Sequence, residues 1–221
     1  MAVLAIDSST PDLIVGLVNE VNNETLSERI IENCRDQNAL LVPTTIELLE
    51  KSALAFSDIS AIVVGIGPGP FTGLRVGMAT AAAFGDALGI AVHGVCSLDA
   101  MAAQSTESAI LVASDARRKE IYYATYRNGQ RTSGPDVIKP EEVQPIHDVD
   151  LVSIPEQIHS RLSDDLRSRK HSQFKPLPKF LVACADLSAT AQPLEPLYLR
   201  RPDAKEPPKK PLSAAIVRKE H

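Results

Sequence analysis

A chain of 221 residues, 44% hydrophobic and 23% charged, has the make-up of an ordinary folded protein with room for one large domain or two small ones, which excludes a disordered or collagen-like molecule. Its 23 basic and 28 acidic side chains leave −5 at pH 7, so net charge alone does not hold it on nucleic acid. Cys34, Cys96 and Cys184 are odd in number, widely spaced and in no C-x-x-C arrangement, which argues against a disulfide framework or a cysteine zinc site and fits a reducing compartment.

From the N-terminus, Val3 to Ile6 is a short apolar run ending at Asp7. The turn residues Ser8 to Asp12 follow, and Leu13 to Val18 resumes a strand-type run. Thr25 to Ile31 reads as a third strand. A helix is expected from Asn38, with Val42, Ile46, Leu49 and Ala53 at helical spacing on the buried face and Leu41, Thr45 and Leu48 as a second stripe beside it. Pro43 is expected in that helix's first turn. Ala61 to Ile66 is a buried-type strand, Gly67-Pro68-Gly69-Pro70 a loop, and Thr72 to Leu88 a helix. Ile90 to Val95 returns as strand, and Ser97 caps a helix to about Gln104.

The opening pattern restarts at Ile110 to Ser114, with Asp115 closing the strand and Ile121 to Tyr126 returning after Ala116-Arg117-Arg118-Lys119-Glu120. Each aspartate precedes its returning strand by six residues, and the two units suggest a duplicated α/β fold. Asp150 to Ile154 is expected as strand, Pro155 to Ser168 and Pro178 to Thr190 as helices. Residues 200 to 221 hold four prolines and seven basic against three acidic residues. They read as an extended arm, either solvated or touching a partner or RNA phosphates.

Chemistry-bearing groupings are sparse. Asp7 and Asp115, at strand ends facing turns, are the candidates for contacting a nucleotide through a hydrated divalent ion; closing an Asx turn is the simpler role for both. The Gly67–Gly77 segment joins strand to helix but matches neither a P-loop nor G-x-G-x-x-G, and its prolines remove two N–H donors. The five histidines form no i, i+3 or i, i+4 pair and there is no G-x-S-x-G elbow. Cys96 reads as a small buried hydrophobe. Gly73, Gly77, Ala81 and Gly85 recur every four residues, clearing a groove along one helix side. Either an element of the same chain or a partner subunit fills it.

The opening Leu4-Ala5-Ile6-Asp7-Ser8-Ser9-Thr10, the segment Gly67-Pro68-Gly69-Pro70-Phe71-Thr72-Gly73-Leu74-Arg75-Val76-Gly77, the turn Asp115-Ala116-Arg117 and the closing Glu195-Pro196-Leu197-Tyr198-Leu199-Arg200 together resemble the bacterial TsaB (YeaZ) family over residues 3 to about 200. Pro70 stands where many members carry serine. The resemblance implies an α/β fold of the actin/Hsp70-like ATPase (ASKHA) class with two RNase H-like lobes, here 1–105 and a smaller 106–199, before a Pro-rich basic tail, 200–221. It implies a non-catalytic subunit required for TsaD to transfer a threonylcarbamoyl group to the tRNA adenosine next to the anticodon. The implied partners are TsaD, the ATPase TsaE and a second copy of the chain, with tRNA met only through the complex, no membrane, and a cytoplasmic location. No cofactor or metal is expected on this chain; ATP and metal belong to partner subunits. Gln37 stands where TsaD-like relatives have a metal-binding histidine, which disfavours the alternative of a metallopeptidase-like protein. An ATP-dependent phosphotransferase of the same fold is the other alternative. The family's use of the first two helices for pairing, carried onto this chain, puts the partner face on Leu41, Thr45, Leu48, Gly73, Gly77 and Ala81.

Overall fold

The computed structural model describes residues 1–144 and 149–200; the tail expected at 200–221 lies, from residue 201, outside the described residues. Strand β1 (Ala2–Asp7) is buried at every position, which is why it reads as an unbroken apolar run: both of its faces are covered. It pairs antiparallel with β2 (Leu13–Asn19), which pairs antiparallel with the edge strand β3 (Thr25–Ile31). Two parallel strands, β4 (Ile59–Gly65) and β5 (Ala91–Val95), extend the other side and give the order β3-β2-β1-β4-β5. Helices α1 (Gln37–Lys51) and α2 (Phe71–Leu88) lie between β3 and β4 and between β4 and β5 in sequence, and α3 (Ser97–Ala102) follows β5.

A second sheet repeats the plan. Strands β6 (Ala109–Asp115), β7 (Ile121–Arg127) and β8 (Gln130–Ile138) are antiparallel, and β9 (Leu151–Ser153) and β10 (Lys170–Ser172) run parallel to β6. The order β8-β7-β6-β9-β10 is that of the first sheet, strand for strand. Two such mixed sheets with packed helices are the duplicated α/β plan of the actin/Hsp70-like class. Strand β8 escapes sequence reading because Gly134 and Pro135 sit inside it, a combination tolerated on an exposed sheet edge. The single helix expected from Pro155 to Ser168 is instead two separate turns, α4 (Glu156–His159) and α5 (Asp164–Arg167). The last helix, α6 (Pro178–Ala183), stops well short of Thr190.

The boundary between lobes is not sequential. Beyond β10 the chain returns to the first sheet, so the second lobe does not run through 199 as expected. The Pro178 ring occupies the space above Gly16, where an added Cβ would stand 2.5 Å away. Leu181 and Val182 join Val3, Ala5, Val18, Ala61 and Val63 in one apolar cluster, and the Leu197 N–H donates to the Ile66 carbonyl at 2.9 Å.

Two further expectations about α1 are corrected. Its N-cap position is Asp36 rather than Asn38, and Pro43 lies in the second turn, where its missing N–H leaves only the exposed Ala39 carbonyl without an intrahelical donor. Its buried face is Leu41, Thr44, Thr45, Leu48 and Leu49, whereas Val42 and Ile46 are 38% and 41% exposed. The polar threonines enter the core because the Thr45 hydroxyl bonds back to the Leu41 carbonyl at 3.0 Å, and the Ser27 hydroxyl donates to the Leu48 carbonyl at 3.2 Å.

The assignment of Leu41, Thr45, Leu48, Gly73, Gly77 and Ala81 to a partner face therefore fails, since all six are buried within their own lobe. The small-residue groove of α2 is filled by the same chain. A Cβ on Gly73 would stand 2.4 Å from the Ser8 carbonyl oxygen, and one on Gly77 2.2 Å from the Ser8 hydroxyl. Overpacking typically costs about 1–3 kcal/mol and a buried unpaired charge adds to it. Ala81→Arg is accordingly expected to lower the urea unfolding midpoint sharply, or to prevent folding, while Ile46→Arg on the exposed side changes stability by no more than about 0.5 kcal/mol. Equal midpoints for the two variants would return the stripe to the surface.

Candidate functional site

The turn between β1 and β2 lies against α2 at the mouth of the interlobe cleft. The Asp7 carboxylate is fully buried. One oxygen accepts the Ser9 N–H at 2.9 Å and the Ser9 hydroxyl at 2.7 Å, and the other accepts the Ser97 hydroxyl at 2.6 Å. Ser97 was expected to cap α3, but Cys96 holds that position and frees the serine for Asp7. Burial pushes the Asp7 pKa up from 3.8, against the pull of the Ser97 and Ser9 hydrogen bonds. Glycines make the seat: a Cβ on Gly65 would fall 1.8 Å from the Asp7 carboxylate, and one on Gly69 2.2 Å from the Ser9 carbonyl oxygen. The Ser8 hydroxyl donates to the Gly73 carbonyl at 2.8 Å.

Asp115 occupies the matching place in the second sheet, with one oxygen accepting the Arg117 N–H at 2.7 Å. Both aspartates thus close Asx turns. The turn after Asp115 is otherwise different. Arg117, Arg118 and Lys119 are three successive left-handed residues with φ of 61°, 52° and 65°, a conformation costing roughly 1–2 kcal/mol per non-glycine residue. The turn presents its basic side chains where the first-lobe turn presents none.

Between the lobes lies a cleft of about 1010 Å³. Arg35 and Phe71 line it from the first lobe, Arg117 and Arg118 from the second, and Tyr198 and Arg200 from the returning segment. Among the described residues no carboxylate lines it. The Phe71 and Tyr198 rings stack at 4.8 Å and 30°. The Arg75 guanidinium lies 3.6 Å over the Phe71 ring and its Nε donates to the Tyr198 hydroxyl at 3.1 Å. Arg200 pairs with Glu120 and donates to the Arg117 carbonyl at 3.3 Å, tying the returning segment to the second-lobe turn. Gln37 donates to the Thr10 and Asp12 carbonyls at 3.2 Å each, a structural use of the position. Among the described residues no cluster of three or more His, Cys, Asp or Glu side chains could hold a metal, and no helix is long and apolar enough to cross a membrane. Burial, reinforced by Asp99, pushes the Cys96 thiol up to about 11, which keeps it from acting as a thiolate.

Sequence reading did not single out this cleft. Phe71, Arg75, Arg117, Tyr198 and Arg200 lie inside the quoted motifs and Arg35 outside them, but only the fold brings them to one cleft. The signal available was Phe71 and Arg75 at i, i+4 on one helix.

A carboxyl whose native pKa lies above its unfolded value stabilises the fold below the unfolded value and loses that contribution as pH rises through the native one. Wild-type stability should therefore fall as pH rises from about 3.8 through the raised Asp7 pKa. Asp7→Asn should remove that slope in chemical denaturation across pH 4 to 8; an unchanged slope would mean that Asp7 is not the group titrating.

Residues 25–192 match the family model of TsaD, tRNA N6-adenosine threonylcarbamoyltransferase. An uncharacterized protein of Mycobacterium tuberculosis is 46% identical over 203 residues, covering 92% of this chain and 93% of its own length. The tRNA threonylcarbamoyladenosine biosynthesis protein TsaB of Escherichia coli is 31% identical over 154 residues, covering 65% of this chain and 64% of its own. Among solved structures, a protein described as similar to peptidase YeaZ, from Pseudomonas aeruginosa, superposes with a TM-score of 0.73 at 22% identity over 90% of this chain and 99% of that one, which shows the shared fold. The match to the TsaD model across most of the chain, with TsaB-named relatives and the YeaZ fold, establishes that the chain belongs to the TsaD-type family of tRNA threonylcarbamoyladenosine biosynthesis proteins, in its TsaB (YeaZ) group.

Proposed function

We propose that this chain is the non-catalytic partner of TsaD in the transfer of a threonylcarbamoyl group to the tRNA adenosine beside the anticodon. The observation that carries this reading is the burial of Asp7. The carboxylate best placed for ion or phosphate chemistry is enclosed by its own turn and occupied by Ser9 and Ser97, so it cannot reach a ligand without unseating the turn. On this reading ATP and metal are bound by partner subunits, TsaE is the associated ATPase, the chain also pairs with itself, and the assembly works in the cytoplasm. The phosphotransferase alternative requires an accessible acidic residue; Asp7 does not supply it, which leaves only the half-buried Asp115, one oxygen of which accepts the Arg117 N–H, of the two candidates.

The partner face moves to the exposed side of α1. Val42 and Ile46 are 38% and 41% exposed and lie at i, i+4 on one side of the helix, and an exposed apolar strip of this kind favours a protein partner. Burying an unpaired carboxylate in such a contact costs several-fold to a hundredfold or more in affinity. Ile46→Glu is expected to fold with an unchanged melting temperature and to bind TsaD at least about tenfold more weakly in calorimetric titration, with tRNA modification falling in parallel in a reconstituted reaction. Undiminished TsaD binding by Ile46→Glu would remove this face. Tight Mg-ATP binding or ATP turnover by the isolated chain would overturn the non-catalytic reading.

A further inference from the structure

We infer that the interlobe cleft seats an unpaired nucleotide of an RNA strand, its base on the Phe71–Tyr198 stack and its flanking phosphates on Arg35 and Arg117. That the polymer is RNA rests on the reading above; that the ligand is a base flanked by phosphates rests on the cleft itself.

The charge of the cleft opposes that of the molecule. The chain carries −5 overall, yet Arg35, Arg117, Arg118 and Arg200 line the cleft and no acidic side chain lines it among the described residues. Arg200 is engaged by Glu120. Among the described residues, the guanidinium groups of Arg35 and Arg117 make no hydrogen bond or ion pair, so no described side chain has to be displaced for either to meet an anion. The first turn of α2 adds to the positive field. Phe71, Thr72 and Gly73 line the cleft, and the helix start has neither a side-chain cap nor an acidic residue in its first turn, so the positive end of its dipole is not neutralised there.

The aromatic pair supplies the second half of the site. Phe71 is 42% and Tyr198 37% exposed, an unusual state for two rings already stacked on each other. Arg75 lies over the Phe71 ring and donates to the Tyr198 hydroxyl, so one side chain ties the two rings into a platform. Stacking on such a platform tolerates any base, and together with nearby arginines it is the usual chemistry of single-strand recognition.

The residues favour phosphodiesters over a nucleoside triphosphate. A triphosphate brings a divalent ion held in part by carboxylates, and among the described residues none lines this cleft. Phosphodiesters carry one charge each and need only the arginines. A volume near 1010 Å³ lies at the top of the range for small-molecule pockets and leaves room for the strand to enter and leave.

The test is fluorescence anisotropy of a short, unstructured, end-labelled oligoribonucleotide with the full chain, over a salt series and without TsaD. Saturable, salt-sensitive binding is expected. Arg35→Gln with Arg117→Gln should weaken it at least tenfold and reduce the slope of log K against log salt by about 1.4, two lost single-strand phosphate contacts. Tyr198→Ala should weaken binding by about fivefold to a hundredfold with the slope unchanged, and Tyr198→Phe, which keeps the stack, should restore it. Melting curves of each variant show that the fold is intact. The inference is overturned if the wild type does not bind, if the cleft variants bind as tightly as wild type, or if AMP or Mg-ATP binds the cleft as tightly as the oligonucleotide. Because TsaD is absent from the assay, a wild-type chain that pairs with TsaD but does not bind the oligonucleotide refutes this inference alone, and one that binds the oligonucleotide but not TsaD refutes the pairing.

Discussion

The seating of one turn governs the first lobe. Asp7, Ser8 and Ser9 descend onto the start of α2 and the end of β4 so closely that a Cβ at position 65, 69, 73 or 77 would overlap them. Glycine inside a helix costs roughly 1 kcal/mol relative to alanine, and α2 accepts it at 73, 77 and 85. The return is backbone approach: the Ser8 hydroxyl reaches the Gly73 carbonyl, and the buried Asp7 carboxylate draws α3 to the same point through Ser97. A charge buried without those three donors would be expelled or neutralised. The glycines and the serines are therefore one device, and neither set is explained without the other.

That device also fixes what the cleft can become. Folds of this class present two matched hairpins across the space between their lobes, and here the strand order has been kept in both copies while the turns have diverged. The first turn is closed over itself. The second, Arg117 to Lys119, is held in a strained left-handed run that turns cationic groups outward. The result is a cleft whose acidic chemistry is shut away and whose exposed chemistry is basic and aromatic, suited to holding a ligand rather than reacting with it.

Much of the framework was legible in the sequence because its signals are local. Unbroken apolar runs marked β1, β2 and β4, and the six-residue spacing from Asp7 to Leu13 and from Asp115 to Ile121 exposed the duplication that the two sheets confirm. Errors arose where different packings write the same pattern. A four-residue stripe of small side chains says that a backbone comes close but not whose backbone it is, and here it is the chain's own Ser8. The two stripes of α1 lie about 100° apart around the helix, and the one carrying Leu41, Thr45 and Leu48 is the buried one. The return of the chain to the first lobe after β10 left only the ring of Pro178 over Gly16 as its trace, a contact between positions 162 residues apart that no local pattern announces. The cleft was hidden for the same reason, since its residues come from five separate stretches of chain.

Helix α1 joins the two surfaces on which function is proposed. Its first residue, Gln37, lines the cleft and grips the Thr10 and Asp12 carbonyls of the β1–β2 turn. The exposed apolar strip of Val42 and Ile46 follows, with Ile46 nine residues from Gln37, about 13.5 Å along the axis at 1.5 Å per residue. A partner docked on that strip stands within one helix length of the cleft. Its docking also bears on a rigid element rather than a loop, because Leu41, Leu48 and Leu49 anchor the opposite side of α1 in the core. Rigid anchorage lets a partner and an RNA strand be held in fixed relative geometry without chemistry of the chain's own, which is what positioning contributes to a reaction run on a neighbouring subunit.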